Sequence, residues 1–173
     1  MLEMDLPEEQ EVDQQKIVER KLELAADQLA SSPQALLGHA KMSSKGQWLA
    51  GFVVEDTGFY LDCLPGLPGP LIKWFLQTIG RKGIYEICKK FDNFRAKGIS
   101  LVGYVNEKGD VKFFKGEVEG KVVLENGEDG FGWDPVFVPD GEERTFAEMS
   151  RGEKNEISMR RKAFEQLARE IAK

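Results

Sequence analysis

Two short runs carry the residues best suited to chemistry: Asp129–Gly141 (DGFGWDPVFVPDG) and Glu153–Arg161 (EKNEISMRR). The first sets Phe131, Gly132, Trp133 and Asp134 in one tight loop. That composition suits holding a flat ring against an aromatic face, with the carboxylate placed to accept from a ring N–H. A base stacked on such a face gains about 1–3 kcal/mol. A packed aromatic turn is the competing account of the same residues. The second run, with Lys162 directly after it, crowds Lys154, Arg160, Arg161 and Lys162 at what reads as the start of a helix, where backbone N–H groups attract anions. The dipole disfavours cations at that end, and a local rule broken in this way often marks function. A flat heterocycle joined to a polyanion is a nucleotide.

A third constellation is Glu55-Asp56, which follows the apolar run Gly51–Val54 and precedes Thr57-Gly58. A strand ending in carboxylates and a glycine is how α/β enzymes present ligands at strand ends. Neighbours on a continuing strand point to opposite sides, so only one of the pair would face a given pocket. Hard oxygens of this type suit Mg²⁺, but a polar strand end that opens a turn is the plainer account of an isolated pair. Asp5-Leu6-Pro7-Glu8 adds a second carboxylate pair, which alone reads as a solvated acidic tail. Lys21 and Lys73 fall in amphipathic helices, where lysine is ordinarily a surface residue. The single histidine, His39, lies in an irregular stretch, so a Ser-His-Asp or Cys-His arrangement has no good base. Neither a GxxxxGK[ST] loop nor a helix-opening GxGxxG occurs.

The elements that must position these residues read as one α/β domain spanning all 173 residues. A helix is expected over Val12–Ala30 with Asp13 as its cap, then an irregular insertion or short hairpin over Ser31–Gly51, and the strand Gly51–Val54. Helices follow from Pro70 to Gly80 and over Ile84–Phe91. Strands at Ile99–Asn106 and Asp110–Val123 are joined by the turn Glu107-Lys108-Gly109. A last helix runs from Lys154 to Ala172, its stripe of Ile157, Phe164, Leu167, Ala168 and Ile171 facing the core. The formal charge of -6 argues against a nucleic-acid footprint while leaving room for a small anionic ligand at a local cation cluster. Cys63 and Cys88 are far apart in sequence and read as free thiols in a reducing cytosol. The absence of a membrane-length apolar run and the acidic N-terminus make the expected location cytoplasmic.

The same residues resemble a family, the inosine triphosphate pyrophosphatases, which hydrolyse non-standard purine nucleoside triphosphates. The matching pieces are DLPE (Asp5–Glu8), VVEDTGF (Val53–Phe59), GLPGPLIKWF (Gly66–Phe75), FGWDPVFVPDG (Phe131–Gly141), TFAEMS (Thr145–Ser150) and EKNEIS-x-R (Glu153–Arg160), collinear over nearly the whole chain. The resemblance implies an elongated, two-lobed mixed α/β fold around a cleft and a homodimer. It implies water attack on the α-phosphorus of ITP, dITP or XTP, giving a monophosphate and pyrophosphate, with Mg²⁺ required and Mn²⁺ as the alternative. Glu8 and Asp56 would hold the metal, Asp56 would activate water and Glu55 would assist. Lys21, Lys73 and Lys154 would neutralise phosphates, Thr57 would contact the nucleotide, and Phe131, Gly132, Trp133, Asp134, Met159 and Arg160 would meet the base.

Three departures qualify that expectation. Relatives open with a strand ending in a Thr/Ser-x-Asn-x-x-Lys motif, and this chain begins at about the DLPE segment; Asn126 and Asn155 stand elsewhere. Met159 occupies the position of a family histidine, and a thioether cannot donate to a purine oxygen. Ser31–Gly51 is an insertion. These features leave a second reading open, in which the chain is a truncated or divergent, non-catalytic nucleotide-binding or dimerisation module of the same fold.

Overall fold

Side-chain alternation along three long strands decides the layering. The computed structural model describes residues 9–31, 51–127 and 132–173. Its elements are α1 (Gln14–Ser31), β1 (Phe52–Leu61), β2 (Pro68–Gly69), α2 (Ile72–Thr78), α3 (Gly80–Lys90), β3 (Arg95–Val105), β4 (Val111–Val122), a 3₁₀ turn over Asp134–Val136, β5 (Phe137–Pro139), α4 (Arg151–Ile157) and α5 (Met159–Ile171). The strands form one sheet in the order β2-β1-β3-β4-β5, with every pairing antiparallel. The mixed α/β class expected from sequence is the one observed.

One face of the sheet takes α1: Val18, Leu22 and Ala25 pack on Val54, Val105, Phe52, Leu101 and Phe113. The other takes α5, through Val102, Ala163, Leu167, Tyr104, Phe114 and Phe164. Residues one apart on β3 (Leu101 and Val102) and on β4 (Phe113 and Phe114) therefore serve different layers, as a period of two requires. The largest cluster lies beyond, where Phe59, Trp133, Phe137 and Phe146 pack with Ile72, Ile84 and Met159.

The contact of α5 with β4 is main chain on main chain. A Cβ added at Gly116 would stand 1.8 Å from the Met159 carbonyl oxygen and 2.7 Å from the Ala163 nitrogen. Neither atom can yield without moving the helix. Gly116→Ala is expected to cost at least the ~1–3 kcal/mol typical of overpacking, read as a lowered midpoint in urea unfolding; a change below 0.5 kcal/mol (roughly the scatter of a neutral surface change) would contradict this packing.

Two sequence expectations are corrected here. β1 does not stop at Val54: it runs on through Glu55, Asp56, Thr57 and Gly58, because Asp56 and Thr57 pair with Leu101 and Ser100 of β3. The carboxylates are thus mid-strand in an antiparallel sheet. The single C-terminal helix is two helices, broken at Ser158, whose backbone is extended (φ -64°, ψ 148°) and whose hydroxyl caps α5 by accepting from the Arg161 N–H at 3.2 Å. The helix α4 opens with its own capping box between Ser150 and Glu153. Lys154 therefore sits in the last turn of α4, where the dipole favours a cation; only Arg160, Arg161 and Lys162 stand at a helix start. The insertion at Ser31–Gly51 lies, apart from its ends, outside the described residues.

Candidate active site

β1 between Phe52 and Asp56 pairs with β3 on one side, and β2 reaches only Phe59 and Tyr60 on the other. A cavity of about 610 Å³ wraps that edge. Its wall includes Lys21 from α1, Glu55, Asp56 and Thr57 from β1, Lys73 and Trp74 from α2, Gly132 and Trp133, and Arg160 from α5. Glu55 and Asp56 do point to opposite faces, as alternation demands. Both still border the cavity, because it bends round the strand edge rather than lying on one face.

Asp56 points toward α1. Its Oδ1 accepts from Lys21 Nζ at 2.7 Å, and its Oδ2 accepts from Gln14 Nε2 at 3.3 Å. The ion pair is partly buried, with side chains 16% and 14% exposed, so solvent screens it less than a surface pair. Lys21 stays inside because it lies one helical turn from both Ile17 and Ala25 on the packed stripe of α1. Burial, then the charges of Asp56 and Asp13, push the Tyr60 phenol up to about 12.

Glu55 points toward α5. Its Oε1 accepts from Ser100 Oγ at 2.7 Å, Arg160 Nε at 2.7 Å and Thr57 Oγ1 at 3.3 Å. Three donors on one oxygen make this carboxylate a hub that fixes the Arg160 guanidinium at the cavity wall.

The aromatic loop is built differently from a free stacking platform. Trp133 is 2% exposed and lies face to face with Phe59 (centroids 4.4 Å apart, 23° between planes) and edge-on to Phe137. Only part of its ring borders the cavity. Asp134 is buried and ion-paired with Lys154, whose Nζ stands 5.3 Å over the Phe146 ring. That pair anchors the loop to α4 and lies off the cavity wall, as does Met159, buried in the cluster that holds Trp133. The structure thus brings Lys21, Glu55, Asp56, Thr57, Lys73, Gly132, Trp133 and Arg160 together, and sets Asp134, Lys154 and Met159 behind them. Glu8 and Phe131 lie outside the described residues.

The hard-oxygen donors at the cavity are Asp56, Glu55 and Glu9. Among the described residues no three Asp, Glu, His or Cys side chains converge into a cage. That donor set fits an ion of the Mg²⁺ type, which is held by one or two carboxylates with water and substrate phosphates completing its shell.

A model of the Ham1 family matches residues 2–170. The chain belongs to the Ham1 family. The inosine triphosphate pyrophosphatase of Scheffersomyces stipitis is 39% identical over 153 residues, covering 87% of this chain and 77% of that protein. The dITP/XTP pyrophosphatase of Methanopyrus kandleri is 44% identical over 117 residues, 67% of this chain. This Ham1 chain spans 62% of the length of the Methanopyrus protein and 58% of the inosine triphosphate pyrophosphatase of Saccharomyces cerevisiae, which is 42% identical to it over 115 residues. Among solved structures, the Ham1 protein of Staphylococcus aureus shares the fold at a TM-score of 0.67 and 23% identity, covering 98% of this chain and 81% of that one.

Several site residues of this Ham1 chain escaped the sequence reading. Gln14 lies one helical turn before Ile17 and Val18 on the buried stripe of α1, and a polar residue on a buried stripe is a signal that could have found it. Trp74 is 42% exposed at the cavity, an unusual setting for so large an apolar ring. Arg81 of α3 donates from Nε to the Gly132 carbonyl at 2.7 Å and from Nη1 to Glu125 at 2.6 Å, tying both flanks of the aromatic loop to one helix; no sequence pattern announces that. Cys63 and Cys88, distant in sequence, belong to one cluster, and burial followed by the neighbouring Cys63 thiol pushes Cys88 up to about 12. Cys88 is consequently a packing residue at physiological pH. No described helix is long and apolar enough to cross a membrane.

Proposed function

We propose that the chain hydrolyses non-standard purine nucleoside triphosphates, such as ITP, dITP and XTP, to the monophosphate and pyrophosphate. The observation that carries this reading is one cavity bordered at once by the Asp56–Lys21 pair and Lys73, and by Gly132, Trp133 and Arg160. The first group suits a polyanion and the second a planar base. Relatives bearing these substrate names support the choice of base.

Lys21 and Lys73 hold the phosphates. The ion pair means Lys21 must share itself between Asp56 and the incoming anion, which draws the phosphate chain toward the carboxylate. Asp56 accepts the proton of the attacking water. Glu55, through its three donors, holds Arg160 and Thr57 against the nucleotide. Gly132 and Trp133 border the base, and Asp134, Lys154 and Met159 support that loop from behind. Asp56, with Glu8, would hold Mg²⁺ (or Mn²⁺), which when bound supplies charge neutralisation on the phosphate oxygens. The working form is a homodimer in the cytoplasm.

The test is product identity. Incubation with ITP and Mg²⁺ followed by ³¹P spectroscopy is expected to give pyrophosphate and no orthophosphate. Orthophosphate as the first product, or no turnover, would overturn the reaction as written.

A further inference from the structure

Behind Asp56 sits a buried amide that the scheme above does not use. Gln14, the first residue of α1, is 7% exposed. Its Nε2 donates to the Asp56 carbonyl at 3.1 Å, to Asp56 Oδ2 at 3.3 Å and to the Ile99 carbonyl at 3.3 Å. Its Oε1 accepts from the Tyr60 hydroxyl at 3.1 Å. The groups on one side are all acceptors, so the amide turns its nitrogen to them, its two N–H bonds shared among the three, and its oxygen to the Tyr60 hydroxyl. An amide taken out of water needs such partners to offset its lost hydration.

A residue serving only to fasten α1 to the sheet would need the two main-chain carbonyls. The third acceptor is the carboxylate itself. With Lys21 on Oδ1 and Gln14 on Oδ2, Asp56 is gripped at both oxygens, and its rotation about the Cβ–Cγ bond is fixed. Lys21 can be drawn off by a phosphate; a neutral amide has no such competitor. Tyr60, which shares a strand face with Asp56 four residues earlier, holds the far end of the amide in turn.

We propose that Gln14 is a positioning residue for the reaction, orienting the Asp56 carboxylate in the cavity while Tyr60 orients Gln14. The proposal rests on the reading of Asp56 as the proton acceptor, and its test separates the two. Gln14→Glu keeps the length of the side chain and an acceptor for Tyr60 but cannot donate to Asp56; Gln14→Met keeps the length and removes all the hydrogen bonds. In the full chain, both are expected to lower kcat for pyrophosphate release from ITP by about 10–100-fold, the scale of a displacement near 1 Å. Calorimetric affinity of the uncharged Gln14→Met for a non-hydrolysable ITP analogue should stay within about threefold of wild type, because Gln14 does not border the cavity. Tyr60→Phe, which leaves Gln14 in place, should lower kcat by a smaller factor with the same affinity.

Unchanged kcat in Gln14→Glu beside an inactive Asp56→Asn would overturn the proposal and leave the Asp56 reading standing. Loss of kcat and analogue affinity in equal measure, or failure of both Gln14 variants to fold, would place the amide in the service of the fold alone and overturn it too. Wild-type turnover in Asp56→Asn would remove the reading on which the proposal depends.

Discussion

Replacing Asp56 by Asn is expected to cut pyrophosphate release from ITP by about 10²–10⁴-fold, the range for loss of a positioned general base. The substitution is nearly isosteric, so Gln14 and the strand pairing to Leu101 remain served. What disappears is the charge. Lys21 then loses the charge it holds at 2.7 Å, keeps only the Glu55 carbonyl at 3.2 Å among these bonds, and becomes more available to an anion. Measured without Mg²⁺, affinity for the triphosphate should accordingly hold or rise, while turnover in its presence collapses, a split that general damage to the fold would not produce. Calorimetry with the non-hydrolysable analogue, run beside the pyrophosphate assay, checks both halves. A parallel fall in affinity would mean that the carboxylate serves binding rather than the chemical step.

Trp133→Ala is expected to have the largest effect on stability, about 3–5 kcal/mol for truncation of a fully packed aromatic. Trp133 is 2% exposed, stacks on Phe59 at 4.4 Å and meets Phe137 edge-on at 5.3 Å. Its removal opens a hole between β1, β5 and the aromatic loop that no neighbour is placed to fill. Chemical denaturation would read this as a shifted midpoint. A loss under 1 kcal/mol (well below the range for such a truncation), with nucleotide affinity gone, would instead make Trp133 a stacking surface with little part in the core.

Those two residues also mark what the sequence made legible. Periodicity located most of the elements, and Asp56, Lys21 and Lys73 reach one cavity because an apolar stripe and a strand parity each leave few choices. Breaks were less legible. Ser158 ends one helix and caps the next, and in sequence it differs little from a serine within a single helix, so the sequence alone puts Lys154 at the wrong end of a dipole. The direction of Lys154 toward Asp134, and of Arg81 toward Gly132, depends on contacts 20 and 51 residues apart that no local pattern encodes. The aromatic loop leaves platform and packed turn open in sequence, and burial by Phe59 from a distant strand makes most of Trp133 core. The carboxylates illustrate the subtler case. Alternation sends Glu55 and Asp56 to opposite faces, and only a strand edge that no described strand pairs at these positions, a tertiary fact, lets one cavity reach both.

The claim on which all of this turns is that a single cavity holds both ends of a nucleotide. A crystal structure with Mg²⁺ and a non-hydrolysable ITP analogue tests it most directly. The triphosphate is predicted beside Lys21, Lys73 and Asp56, with the base directed to Gly132, Trp133 and Arg160. Density for the nucleotide in a second groove, between Tyr60, Lys97 and Lys115, with the Asp56 cavity empty, would contradict it.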